Sequence, residues 1–165
     1  MAEHAITATP MESFIEKQAR GDAIVNIVLA GGINYWLTRD LAFVPATLPL
    51  GDPAPNLGGT LVAIAVLMSL LLTPIVYAIT VSQRKSGKIV PGLPAEARGG
   101  FVPVLLTLKH LVLTLTAAVI IVVILQSAAP YLLFAPLLFT LIVTVIAAIL
   151  AYFMSKSTTR AAMKI

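Results

Sequence analysis

Three long apolar runs leave this chain little choice of solvent. Gly58 to Val81, Phe101 to Gln126 and Tyr131 to Phe153 contain a single formal charge, on Lys109. Each reaches or exceeds the roughly 20 helical residues that a bilayer core takes. A shorter run, Ala23 to Thr38, reaches that length if Gly21 and Asp22 join it or if Arg39 snorkels outward. Backbone in lipid must satisfy its own hydrogen bonds, and no ten-residue alternating strands are present, so helices are the reading that remains. The sequence therefore predicts an all-α integral membrane protein: four transmembrane helices as two hairpins, preceded by a short amphipathic N-terminal interfacial helix.

The basic residues orient these spans. Lys17 and Arg20 precede the first, Arg84, Lys85, Lys88 and Arg98 lie between the second and third, and Lys156, Arg160 and Lys164 follow the fourth. The opposite side carries Arg39 beside Asp40 and Asp52. The positive-inside rule then puts both termini and the middle loop in the cytoplasm, in a multi-pass protein of a bacterial-type inner membrane. It also explains the net charge of +4 as topology plus attraction to anionic lipid, and nucleic acid is not an expected partner.

Five segments follow from this reading: a cytoplasmic segment 1–22, a first hairpin 23–81 with a Pro-rich extracytoplasmic loop 39–57, a basic linker 82–100, a second hairpin 101–153, and a basic cytoplasmic tail 154–165. Thr9 as N-cap, Pro10 at the first helical position and Glu12 nearby predict a helix from about residue 10, with Glu16 and Arg20 at i, i+4. The first apolar run reads as an anchor rather than a cleaved signal, because no small-x-small site follows Thr38. A faint repeat relates Ala19-Arg20-Gly21 to Ala97-Arg98-Gly99 and would put Gly31 and Gly32 at the depth of Lys109 and His110.

The absence of cysteine removes thiolate metal sites, iron–sulfur clusters and thiol redox chemistry. Two histidines, His4 and His110, do not make a metal centre within one chain, and no metal or other cofactor is expected. No nucleophile elbow, phosphate loop or HExxH motif occurs, so no catalytic residue is assigned and the chain reads as a non-enzyme. Its four-span size resembles that of small multidrug exporters, but the glutamate that resemblance requires in the first span is missing.

The polar residues inside the spans are the candidates for a solute or proton path. Lys109 and His110 form the one adjacent ionisable pair, and intramembrane ionisable groups are functional candidates by default. Asp22, Asn26 and Asn34 share an arc of the first span, and Asp22 would pair with Lys109 if the helices are staggered. Ser69, Thr73 and Tyr77 form a hydroxyl stripe in the second span, interrupted by Pro74, which should kink the helix by removing the bond to the Leu70 carbonyl. Gly31 and Gly32, with Thr140, Thr144, Ala148 and Ala151, read as small-residue helix-packing positions.

Two functions compete. The first is an accessory or scaffolding subunit of a membrane complex, associating with itself or with a larger membrane protein. The second is a small oligomeric transporter or channel for an ionised solute, built on Lys109, His110 and the polar faces of the first two spans.

Overall fold

The computed structural model describes residues 11–47, 54–94, 96 and 100–165. The proposed start at Thr9 and Pro10, part of the Pro-rich loop and the Ala97-Arg98-Gly99 copy of the repeat lie outside the described residues. Four helices carry the fold: α1 (Met11–Thr38), α2 (Leu57–Lys85), α3 (Val102–Ala128) and α4 (Pro136–Met163). The last three are long and apolar enough to cross a membrane; α1 is not among them.

Local signals set the helix ends. The Asn56 side chain accepts a bond of 2.7 Å from the Gly59 amide and starts α2. Gly87, at φ +72°, turns the chain after Lys85, a conformation that glycine adopts without a Cβ clash. Proline in the first turn opens both α3 and α4, where a missing amide costs nothing. Before Pro74, α2 widens into a π-helical turn over Met68–Leu72, which absorbs the lost backbone bond where the sequence predicts a simple kink.

Three sequence expectations need correction. The N-terminal amphipathic segment and the first apolar run form one uninterrupted helix, because no proline lies between Met11 and Thr38 and the acidic flank finds partners on α4. The segment 154–165 is no separate tail, since α4 continues to Met163. Residues 131–135 are not helical; Leu133–Phe134 pairs antiparallel with Val44–Pro45, and Pro136 starts the helix.

Packing also departs from two closed hairpins. The dominant neighbour of α1 is α4, running antiparallel to it, while α2 lies against α3 and α4, and α3 barely meets α4. The core follows: Phe139 and Val143 of α4 are fully buried with Leu57, Leu61 and Ala65 of α2, and Val44 of the first loop closes that end. The strand pair, β1 (Val44–Pro45) with β2 (Leu133–Phe134), ties the two loops together, reinforced by Ala46 donating to Leu132 at 2.8 Å and Gly58 donating to Ala46 at 2.9 Å.

Arg84 secures the opposite end. Although only 3% exposed, its guanidinium donates to the carbonyls of Pro91 at 2.9 Å, Ala162 at 2.7 Å and Ile165 at 3.0 Å. It thus meets carbonyls left unpaired at the end of α4, where the helix dipole favours a cation. Bonds to a charged group contribute about 1.5–3 kcal/mol each, which offsets much of the cost of burying the charge.

Of the proposed packing glycines, one is placed for the role. A Cβ on Gly31 would lie 3.2 Å from the Thr144 hydroxyl oxygen of α4, whereas one on Gly32 would meet nothing within 4 Å. Gly31 therefore faces α4, while Lys109 and His110 lie on α3. Gly58 plays a comparable part, with a Cβ position 3.0 Å from Val122. We expect Gly31→Val to lower the thermal midpoint of the purified protein by several degrees. Gly32→Ala should leave it unchanged or raise it, since alanine gains roughly 0.5–1 kcal/mol over glycine within a helix. Equal effects at the two positions would contradict this packing.

Candidate functional site

The polar side chains fall into three groups, and the division decides what each can do. The first is the seam between α2 and α3. Thr73 Oγ1 and His110 Nδ1 are 2.9 Å apart in a buried contact, and Ser69 Oγ lies 3.2 Å from Thr114 Oγ1. Thr114 also donates to the His110 carbonyl at 2.8 Å within its own helix. The π-helical turn carries Ser69 toward this contact, and α2 supplies the hydroxyls predicted from the stripe. Tyr77 is buried nearby on the same helix, and its hydroxyl has no hydrogen-bond partner among the described residues.

The second group belongs to α1 and lies apart from the first. Asn26 donates to the Asp22 carbonyl at 2.9 Å and Asn34 to the Ala30 carbonyl at 2.8 Å, so both amides bond back within their own helix. Asp22 accepts from Gln18 and from Ser155 of α4. The predicted Asp22–Lys109 pair does not form, because α1 packs on α4 and α3 lies elsewhere.

Nearly two turns closer to the start of α1 than Asp22, Glu16 is the centre of a compact network. It accepts from Lys156 Nζ at 2.7 Å, from the Tyr152 hydroxyl at 2.6 Å and from Arg20 at 3.4 Å, while Glu12 pairs with Arg160 at 3.0 Å. The Lys156 and Tyr152 hydrogen bonds hold the Glu16 carboxyl down at about 2, from an ordinary value of 4.5.

The third group lines a cleft between α3 and α4. Lys109, Lys156, Arg160 and Lys164 surround an open space of about 550 Å³ with Leu106 and Phe153 on its walls. A narrower space of about 250 Å³ shares Lys109, Phe153 and Ser157 and extends past His110, Leu113, Leu150 and Met154. Lys109 is exposed, and it turns to this cleft while its neighbour His110 is buried against Thr73.

The structure thus brings Ser69, Thr73 and His110 together, leaves Asp22, Asn26 and Asn34 on another interface, and sets Lys109 among basic residues. Sequence reasoning did not select Thr114, though it stands four residues after His110 on the same helix face. Nor did it select Glu16, Lys156 or Arg160 as a network, although Lys156 and Arg160 have i, i+4 spacing on α4. Among the described residues no group of three or more His, Cys, Asp or Glu is disposed to hold a metal ion. No known protein family, curated protein or solved structure matches the chain.

The depressed Glu16 pKa carries a signed consequence. Its contribution to stability is present in full above about pH 4.5 and is lost as pH falls through about 2. The difference in thermal midpoint between the native chain and Glu16→Gln is therefore expected to be constant from pH 7 to 5, and to shrink steadily toward pH 2. A difference that persists unchanged at pH 2 would show that the carboxylate charge is not what holds α1 to α4.

Proposed function

We propose that this chain is a non-catalytic, multi-pass membrane protein that serves as an accessory or scaffolding subunit, presenting α3 laterally to another membrane protein. The observation that carries this reading is the state of α3. Only 6% of its most apolar stretch is buried, and its inward polar groups, His110 and Thr114, are already engaged by α2. Outward it offers Leu105, Leu108, Val112, Val119 and Ile120, all exposed. Lipid tails are as apolar as these side chains, so a partner helix would be held here by van der Waals packing rather than by the hydrophobic effect.

In this reading the apolar part of α1, from about Ala23 to Thr38, is a fourth span. It lies along α4, and its outer surface, including Ile24, Val28 and Ile33, is exposed and apolar over the same length. Exposed Tyr35, Trp36, Phe43 and Tyr131 gather at the strand end, as aromatic side chains do at a membrane interface. Arg39 stacks there on Trp36 at 4.0 Å, while Lys156, Arg160 and Lys164 mark the other end. That charge asymmetry supports cytoplasmic termini in a bacterial-type inner membrane. A transport path finds less support, because its proposed members occupy separate interfaces.

Photo-crosslinking in native membranes tests the proposal. Benzophenone side chains at Val112 and Val119 are expected to yield one discrete protein adduct, and adducts to lipid alone would overturn it. A change in ionised-solute flux on Lys109→Leu in reconstituted vesicles would favour transport instead.

A further inference from the structure

The cleft between α3 and α4 gathers four cations, Lys109, Lys156, Arg160 and Lys164, with no acid on its lining. Lys156 and Arg160 are each met by an acid of α1, Glu16 and Glu12 respectively. Lys109 and Lys164 have no acidic partner among the described residues, so the cleft holds two positive charges beyond its ion pairs. Paired cations still donate: an ammonium has three N–H groups and a guanidinium five, more than one carboxylate uses.

Geometry adds a second constraint. The basic mouth of about 550 Å³ shares Lys109, Phe153 and Ser157 with a second space of about 250 Å³, an apolar groove along Phe153, Leu113, Leu150 and Met154 that His110 and Thr114 border. The groove exists because α3 and α4 scarcely touch, and its sides are open to the surroundings of the bundle. A free anion would use the mouth and leave the groove empty. A molecule with an anionic head and a long apolar tail would use both. Basic pockets between helices at the cytoplasmic side are suited to anionic headgroups for the same electrostatic reason.

We propose that the α3–α4 cleft is a binding site for one anionic phospholipid, with its headgroup phosphate among Lys109, Lys156, Arg160 and Lys164 and an acyl chain along Phe153. This rests on the membrane-spanning reading but not on the scaffolding role. Phosphate oxygens accept from all four side chains, and the two unpaired ammonium groups select an anionic headgroup over a zwitterionic one.

The test is lipid retention by the full chain. Protein reconstituted with phosphatidylcholine and a minor fraction of phosphatidylglycerol is re-extracted, and the phospholipid bound per chain is counted by mass spectrometry. The native chain is expected to keep about one anionic lipid, a stoichiometry that charge-assisted seating in a single cleft implies. Lys109→Gln with Lys164→Gln should weaken retention roughly 30-fold, from about fivefold per basic residue near a membrane surface. Lys17→Gln with Lys88→Gln removes the same charge outside the cleft and should retain the lipid; equal loss in both pairs would overturn the site in favour of general surface attraction. Displacement of the lipid by millimolar inorganic phosphate would assign the mouth to a free anion and overturn the lipid site.

A second measurement keeps the native charges. With Trp36→Phe and Phe153→Trp, brominated phosphatidylglycerol should quench the new indole more than brominated phosphatidylcholine at equal mole fraction, and equal quenching would overturn the proposal. Resistance of the same vesicles to carbonate extraction reports separately on whether the chain is membrane-embedded.

Discussion

The acidic flank of α1 is what the remaining architecture depends on. Ile15 and Ala19 are fully buried, so this part of the helix is held by apolar contact, and half-buried Glu16 and Asp22 beside them, with exposed Glu12, meet cationic or hydroxyl partners. The last turns of α4 supply Arg160, Lys156, Tyr152 and Ser155. Pairing these two surfaces fixes α1 antiparallel to α4, brings Gly31 against Thr144, and leaves α3 as the helix with the least protein around it.

The same economy governs the other polar groups. Five buried hydroxyls, those of Tyr77, Thr140, Thr144, Thr158 and Thr159, have no hydrogen-bond partner among the described residues. For the groups that do find one, three solutions recur: bonding back to the preceding turn, as Asn26, Asn34 and Thr80 do; bonding across a helix pair, as Thr73 and His110 do; and meeting helix-end carbonyls, as Arg84 does. The basic cleft follows these only in part: Lys156 and Arg160 bond across a helix pair to Glu16 and Glu12, while Lys109 and Lys164 have no acidic partner among the described residues, which is why the cleft and the α3 surface carry the functional proposals.

How much of this was legible in the sequence depended on range. Apolar length locates α2, α3 and α4 to within a few residues at most ends, because burial of backbone in an apolar medium is a local requirement. The hydroxyl spacing of Ser69 and Thr73 likewise points to one helix face. Partner choice was not legible: Glu16 and Lys156 are separated by most of the chain, and their charges read equally well as two solvated flanks. The basic composition of 154–165 suggested a tail for the same reason, although Thr158, Thr159 and Ala162 are buried within the continued helix. Lys109 and His110, adjacent in sequence, face different surroundings; a helical step of about 100° separates them, but composition does not say which side holds a neighbour.

The packing of α1 on α4 sets an order of events during synthesis. The main partner of α1 is the last of the four helices to leave the ribosome. Between Thr38 and Pro136 some 5–20 s of elongation pass at typical rates, roughly 5–20 residues per second. Throughout that interval Glu12, Glu16 and Asp22 have none of their α4 partners, and the least apolar helix of the four lacks the surface that covers it. The contacts of α1 with α4 are therefore made late, in a docking step that follows the emergence of α4.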